Sequence, residues 1–575
     1  MRLTAEIDKW LANTKDDGQT QKELREIMKD PAKIEDCFGT MLEFGTGGLR
    51  GIMGAGLNRM NVYTVRQASQ GLANLVVSHG SEAMKRGIVI AHDPRHHSEE
   101  FALEAAKVFA ASGIKCYVFD ELRPTPELSF AIRELGCKAG INVTASHNPK
   151  EYNGYKVYWE DGAQISPVLA DTVLSEIRGT DIFSGVRLMD IKEAERAGLI
   201  EYIGAAIDEK YLENVLAQSL CPDAVSAVAD DFKIIYTPFH GAGYKLVPEA
   251  LRRSGFKHII PVPEQMVIDG SFPTVKSPNP EEKEGFTIAI GMAKKLGVDL
   301  IIGTDPDSDR AGIVVRGPGG EYVSLTGNQV GAMLTDFIIS TRREKGMLPD
   351  NAAVVTTIVS TRMAGGICKA NGVDEYETLT GFKFIGEKIK EFEESGSNTF
   401  IFGFEESYGY LCGSYTRDKD AVLASMLIAQ MAAWYKLKNM TLYDALMKLY
   451  EKYGYYAEKT TSIRVEGGDA LLKMGKTMKR LRAESPTELA GTKIIAVRDY
   501  LSGERRTLPG GVTEPTGLPK SDVLVYELAD GCTAIIRPSG TEPKIKLYLL
   551  VKAEGRDAGD ALISRYETAA RALLA

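Results

Sequence analysis

Short apolar runs, each closed by a turn signal and followed by a helical stretch, recur through the first two-thirds of the chain. Gly87 to Ala91 is such a run. Ser98 stands where it would cap the Ala-rich helix that follows, and Gly113 where it would stop it. Ile114 to Phe119 predicts the next strand, and Ala139 to Val143 another after a further helical stretch. Later runs are Phe232 to Tyr236, ending in Thr237-Pro238, and Val298 to Gly303, ending in Asp305-Pro306. Gly312 to Val315 and Ala353 to Val359 complete the series. Strands that alternate with helices predict parallel sheets covered on both faces.

The pattern changes toward the C-terminus. Val523 to Leu528 and Thr533 to Ile536 flank Asp530-Gly531, a hairpin signal, and Lys544 to Val551 adds an alternating strand. This part reads as α+β with an antiparallel sheet. Tyr450 to Lys459 reads as the junction before it, and the Gly/Pro-dense Gly503 to Pro519 as a surface loop. Ala421 to Trp434 is the most apolar helical stretch, but Ser425 and Gln430 interrupt it and it is too short for a membrane span. A buried helix is expected there.

Composition narrows the function classes. A chain of 575 residues exceeds one core, so several domains are expected. The net charge of −9 argues against a nucleic-acid partner, so a site for an anionic substrate would be a local basic focus. The seven cysteines are scattered, with no CxxC or Cys/His cluster, which predicts reduced thiols and no zinc site. The N-terminal MRLTAEIDKWLANTK has no signal-peptide core. A soluble cytoplasmic protein with no membrane partner is the expectation; the pattern specifies no oligomeric state.

Four loops carry candidate chemistry. Thr144-Ala145-Ser146-His147-Asn148-Pro149 closes a buried strand and puts the Ser146 hydroxyl where open α/β sheets hold ligands. A Ser-His pair in a loop is also an ordinary turn. Asp305-Pro306-Asp307-Ser308-Asp309-Arg310 sets three carboxylates at alternate positions, suited to a hard cation or to a solvated acidic turn. A calcium EF-hand fails, because Arg310 stands where it needs Gly and Arg316 where it needs Glu. Arg537-Pro538-Ser539-Gly540-Thr541-Glu542-Pro543 offers a guanidinium, two hydroxyls and a glycine for an anion, or makes a structural turn. It is not a Walker A loop. Gly403 to Gly409, GFEESYG, offers paired glutamates to sugar hydroxyls or forms an acidic turn. Downstream, Asp418 or Asp420 in RDKD is placed to cap the apolar helix.

In that order, TASHNP, DPDSDR, GFEES and RPSGTEP resemble the α-D-phosphohexomutase superfamily, nearest its phosphoglucomutase branch, from about Glu43 to the C-terminus. The resemblance implies an α/β protein of four domains: three similar α/β domains with mostly parallel sheets and a C-terminal α+β domain. The expected boundaries are 1–205, 206–322, 323–453 and 454–575. It implies that Ser146 is the phosphoserine, that Asp305, Asp307 and Asp309 hold Mg²⁺ with it, and that Glu405 and Ser407 contact sugar hydroxyls. Arg537, Ser539, Gly540 and Thr541 would grip the non-reacting phosphate, and Thr380-Gly381 would form a further substrate turn. Arg50 matches the active-site arginine, although Gly47 replaces the family's usual serine. Lys156 matches a general acid/base, and Lys419 a lysine of the glucose-preferring branch. The histidine that follows Ser-Gly in the mannose/glucose branch is absent.

Phosphoryl transfer depends on positioning and charge neutralisation, which Mg²⁺, Arg50 and Arg310 would supply. A serine needs a proton carrier such as Lys156 or His147, and burial with nearby cations is expected to lower the lysine pKa. The expected activity interconverts glucose 1-phosphate and glucose 6-phosphate through glucose 1,6-bisphosphate, which also serves as activator. Phosphopentomutase or phosphomannomutase activity, a serine-dependent sugar phosphatase and a silent metal-stabilised scaffold are the alternatives.

Overall fold

The run Ala139–Val143 is buried at every position, as an apolar strand covered on both faces must be. The computed structural model describes residues 2–44, 47–466, 470–539 and 544–574. The chain divides into two compact units: Met1–Arg316 with Tyr322–Ser324 and Gly409–Leu437, and Gly317–Glu321 with Leu325–Tyr408 and Lys438–Ala575.

The first unit contains two sheets. Strands β1 (Gly48–Ile52), β2 (Ile88–His92), β3 (Cys116–Phe119), β4 (Ala139–Val143), β5 (Tyr152–Trp159) and β6 (Ile200–Ile203) pair in the order β1-β5-β4-β2-β3-β6. The middle and far strands run parallel, while β5 and β1 turn back antiparallel at one edge. Strands β7 (Lys233–Thr237), β8 (His258–Pro261), β9 (Leu300–Thr304), β10 (Ala311–Arg316) and β11 (Tyr322–Leu325) form the second sheet in the order β11-β10-β9-β7-β8. Here too the parallel strands β8, β7 and β9 meet an antiparallel β10. Both candidate loops, after β4 and after β9, therefore leave the carboxyl ends of parallel strands, where such sheets place ligands.

Three N-terminal helices, Arg2–Asn13, Gly18–Ile27 and Pro31–Phe38, pack Trp10, Leu24 and Phe38 into a core of their own with Ile182. Asp17 and Asp30 cap the second and third. The apolar stretch expected as a buried helix is one, Ala421–Lys436, capped by Asp420, whose carboxylate accepts the Leu423 N–H at 2.9 Å. It packs on the helices Pro222–Val228 and Gly243–Arg253. Among the described residues no helix is long and apolar enough to cross a membrane. All seven cysteines are buried, and none forms a disulfide.

The second unit has a parallel sheet of β12 (Ala352–Thr357), β13 (Asp374–Thr378) and β14 (Thr399–Glu405), with β12 in the middle. The C-terminal region is an antiparallel sheet that includes Tyr455–Arg464, Thr492–Asp499, Leu524–Leu528, Thr533–Pro538 and Lys544–Ala553. Ile358, Val359 and Leu379 share one buried cluster with Tyr500, Val525, Ile535 and Tyr548, which fastens the two sheets to each other.

Two local expectations are corrected. Gly503 to Pro519 is not a plain loop: Glu504–Thr507 and Thr513–Pro515 pair antiparallel and extend the C-terminal sheet. Ser98 does not cap its helix; its hydroxyl is taken by Asp93 at 2.8 Å, and His97 occupies the cap position.

Candidate active site

Ser146 sits immediately past β4 with φ of 51°, a left-handed conformation that non-glycine residues seldom adopt. Its N–H donates to Thr144 Oγ1 at 2.8 Å, and its own hydroxyl donates to Asp305 Oδ2 at 2.8 Å. His147 Nδ1 is 3.3 Å from the same Oγ. Burial, reinforced by Arg310 and Arg50, holds the His147 pKa well below the ordinary histidine value, so its imidazole is neutral.

Asp305, Asp307 and Asp309 project from the turn between β9 and β10, where Ser308 repeats the left-handed conformation at φ of 52°. Asp305 Oδ1 accepts the N–H groups of Asp309 and Arg310 at 3.1 and 3.0 Å. Lys156 Nζ lies 2.6 Å from Asp307 Oδ2 and 3.0 Å from Asp309 Oδ2, and Lys419 Nζ lies 3.1 Å from the latter. Each aspartate offers an oxygen within 4.8 Å of the others. Oδ1 of Asp307 and of Asp309 is buried and accepts no hydrogen bond. Buried carboxylate oxygens that accept no hydrogen bond fit a hard divalent cation, which takes oxygen ligands.

Electrostatics separate the three carboxyls. Burial, with Asp309 and Asp307 alongside, drives Asp305 well above the carboxylate range. Burial also pushes Asp307 and Asp309 up, as does the Asp309 charge at Asp307. The lowering contributions together prevail, from Lys156 at both and from Lys419 and Arg310 at Asp309, and both end below their ordinary value. The reciprocal effect corrects a sequence expectation. Burial pulls Lys156 down, yet Asp307 and Asp309 more than compensate, so its pKa is raised and it stays cationic.

Arg50 reaches this group from β1, donating from Nη1 to Asn148 Oδ1 at 3.0 Å. In the β1–β5 pairing Gly48 faces Lys156, and a Cβ at Gly48 would stand 2.0 Å from the Tyr155 carbonyl oxygen. Only glycine permits that approach. Arg310 extends toward Glu281 and Asp309 at 3.5 and 3.8 Å. Asp418, which accepts the Tyr158 hydroxyl at 2.8 Å, also accepts the backbone N–H of Lys419 at 2.8 Å. The structure thus gathers Ser146, His147, Lys156, the three aspartates, Arg310 and Lys419, with Arg50 held on the same loop by Asn148.

Sequence reasoning missed Thr125 and Tyr158. Thr125 donates its N–H to the Asp307 carbonyl at 2.8 Å and its hydroxyl to Asp307 Oδ2 at 2.9 Å. A threonine between Pro124 and Pro126 at a helix start was the available signal. Tyr158 gave none.

In the second unit Glu405 ends β14, and its Oε1 accepts the Gly381 N–H at 2.9 Å, joining two loops that the sequence proposed separately. Thr380 and Gly381 lead directly into the helix Phe382–Ser395. Glu406 Oε2 accepts the Thr357 hydroxyl at 3.4 Å, and Ser407 is half-buried beside it. A Cβ on Gly327, at the start of the helix Gly327–Glu344, would lie 2.1 Å from the Glu406 carbonyl oxygen. Arg537 is the penultimate residue of its strand, beside the Tyr548 hydroxyl, whose pKa is raised by burial and Glu406 and lowered in part by Arg537. The Ser539 N–H donates to the Lys544 carbonyl at 2.9 Å. Gly540 and Thr541 lie outside the described residues.

Three successive regions match the phosphoglucomutase/phosphomannomutase α/β/α domains: domain I at residues 41–181, domain II at 209–319 and domain III at 326–453. A phosphoglucomutase of Staphylococcus haemolyticus is 36% identical over 523 residues, 90% of this chain and 92% of the relative. One of Staphylococcus epidermidis is 37% identical over 524 residues, 91% and 93% of the two chains. The crystal structure of pp63/parafusin, a phosphoglucomutase of Paramecium in an open form, shares the fold with a TM-score of 0.67 at 17% identity, covering 93% of this chain and 96% of that one. A phosphoglucomutase/phosphomannomutase family protein of Burkholderia thailandensis does so with 0.66 at 17% identity, covering 93% and 98%. The chain belongs to the phosphoglucomutase/phosphomannomutase family.

Proposed function

We propose that the protein is a phosphoglucomutase that interconverts α-D-glucose 1-phosphate and glucose 6-phosphate through a phosphorylated Ser146 and glucose 1,6-bisphosphate. The observation that carries the mechanism is the buried Ser146 hydroxyl, 2.8 Å from a cluster of three carboxylates and flanked by two lysines on the same cluster. Glucose is favoured over mannose or a pentose by the activity named for relatives 36–37% identical across nine-tenths of the chain.

In the forward half-reaction a sugar hydroxyl attacks phospho-Ser146. The bond from phosphorus to Ser146 Oγ breaks as the new ester forms, the sugar hydroxyl loses its proton and Oγ gains one. The sugar bisphosphate turns over, and its other phosphoryl group passes back to Ser146 with the proton movements reversed. Neutral His147, 3.3 Å from Oγ, accepts a proton, and cationic Lys156 donates one. Asp305, Asp307 and Asp309, with an oxygen of the phosphoserine, would hold Mg²⁺. When bound, that ion offsets charge on the transferring group. Arg50 and Arg310 add fixed positive charge. Glu405 and Ser407 recognise sugar hydroxyls, Thr380-Gly381 backs Glu405, and Arg537, Ser539, Gly540 and Thr541 hold the phosphate that is not reacting.

Intact mass should show one phosphate adduct on the wild type and none on Ser146→Ala, which should lose turnover by on the order of 10⁴-fold or more while staying folded. A panel of glucose, mannose, ribose and deoxyribose phosphates should give its highest kcat/KM for glucose. Higher turnover of another sugar would change the substrate. Release of inorganic phosphate in place of isomer would replace the mutase with a phosphatase.

A further inference from the structure

Arg95 belongs to none of the four loops, yet it is 3% exposed and every one of its five N–H donors is used. Nη2 donates to the carbonyls of Ser146 and Asn148 at 2.6 and 2.5 Å, and Nη1 to those of Pro149 and Tyr152 at 2.8 and 3.0 Å. Nε completes the set with Asp93 Oδ2 at 3.1 Å, and the guanidinium lies 5.1 Å from the centre of the Phe272 ring. One side chain thus ties four carbonyls of the stretch from Ser146 to Tyr152.

Asp93, 1% exposed, holds the other end of the same loop. Its Oδ1 accepts the Arg95 N–H at 2.9 Å and the Ser98 hydroxyl at 2.8 Å; its Oδ2 accepts the Thr144 hydroxyl at 2.7 Å. Thr144 Oγ1, its proton committed to Asp93, then accepts the Ser146 N–H at 2.8 Å. Ser146 is gripped through its N–H by Thr144 and through its C=O by Arg95, and between those grips it keeps its left-handed backbone. A conformation that costs energy persists only where its surroundings over-determine it.

We propose that Arg95, with Asp93 and Thr144, is a positioning assembly for the transferable phosphoryl group, fixing the backbone of Ser146 and hence the direction of its Oγ. The inference rests on Ser146 being the phosphoryl carrier. A buried ion pair that served stability alone would have no need, with Thr144, to engage both the N–H and the C=O of the strained Ser146.

The test uses the full-length enzyme with Arg95→Lys, Thr144→Val and, as a control, Ser69→Ala, which removes a buried hydroxyl bonded to Tyr155 at 3.0 Å. Lysine keeps the charge but cannot fork to four carbonyls. Valine keeps the shape of threonine without the hydroxyl that bears the Ser146 N–H. Each variant is assayed for kcat, KM, phosphate on Ser146 after incubation with glucose 1,6-bisphosphate, and melting midpoint, at a temperature where it is fully folded. A misdirected reacting group costs on the order of 10²-fold, so Arg95→Lys and Thr144→Val should lose about 10- to 100-fold in kcat with KM changed less than about threefold. Ser69→Ala should melt earlier at unchanged kcat. Wild-type kcat in folded Thr144→Val overturns the proposal, as does a loss of activity that only follows the unfolded fraction. If Arg95→Lys does not fold, Thr144→Val decides. An active Ser146→Ala would instead remove the carrier itself, a failure that the first two variants do not produce.

Discussion

The two units enclose their central chemical groups to different degrees, although in the first Arg50 is exposed and His147 and Arg310 are half-buried. In the first, Ser146 and the three aspartates are at most 3% exposed and are cross-linked by Lys156, Lys419 and Thr125. In the second, Thr380, Glu406, Ser407, Arg537 and Ser539 are half-buried and Glu405 is enclosed. Burial and mutual bonding suit groups that make and break bonds, because fixed charges act most strongly where water is excluded and no reorganisation is left to do. Groups that receive either end of a turning sugar have to stay open to it. The contrast is what the function proposed above requires of a reacting half in the first unit and a gripping half in the second.

The largest effect is expected where the reacting half is dismantled. Asp307→Asn, or chelation of divalent metal, should reduce turnover by about 10²–10³-fold. Chelation should barely move the melting curve, because the three aspartates line a site and not an apolar core. Asp307→Asn, by contrast, leaves buried Lys156 with one carboxylate fewer and should lower the melting midpoint. Mg²⁺ should restore the chelated enzyme and Ca²⁺ should do so poorly, being larger and less octahedral. Unfolding on chelation would erase the distinction between site and scaffold. A smaller loss is expected in the gripping half. Arg537→Ala removes one charged hydrogen bond of about 1.5–3 kcal/mol, or about 10- to 200-fold in kcat/KM, equally in both directions and with phosphate still present on Ser146. An effect on one direction only would mean that the grip is not shared.

Gly327→Ala should act more weakly. Its Cβ would collide with the Glu406 carbonyl, so the Glu406–Tyr408 turn must shift. A cost of about 1–3 kcal/mol in stability is expected, with a higher KM and an unchanged phosphoserine. An unchanged KM would detach that turn from sugar recognition. The smallest effect concerns stability alone. Burial raises the Glu458 pKa to about 7, against a weaker opposing hydrogen bond from Thr361. The folded state therefore binds this proton more tightly than the unfolded chain. Its stabilising contribution is full below about pH 4.5 and is lost as pH rises through about 7. Glu458→Gln should flatten that dependence and leave the second unit about 1–2 kcal/mol more stable than wild type at pH 8, after allowance for solvent screening. A wild-type pH profile in the variant would contradict the assignment.

Much of this contrast could be read along the chain, and the rest could not for definite reasons. Ala139–Val143 was legible as a strand because both faces are buried, and Asp420 as a cap because its carboxylate precedes an apolar helix. Glu504–Thr507 and Thr513–Pro515 were hidden by their glycine and proline neighbours. These last two strands of the sheet are held by cross-strand backbone pairing and are largely exposed, so no apolar alternation betrays them. The loops with Ser146 and the aspartates were visible because each is contiguous. Thr125, 182 positions from Asp307, and Arg95, 51 from Ser146, act across the fold, where local spacing carries no signal. The direction of the Lys156 pKa failed for the same cause. Its decisive neighbours are 151 and 153 residues away.

A single-turnover experiment tests the central claim most directly. Enzyme carrying radiolabelled phosphate on Ser146 is mixed with a slight excess of unlabelled glucose 6-phosphate and quenched within one turnover. Label should leave the protein at the rate of catalysis and appear in glucose 1,6-bisphosphate, then in glucose 1-phosphate. Label that stays on Ser146 while product forms, or that leaves only as inorganic phosphate, would contradict it.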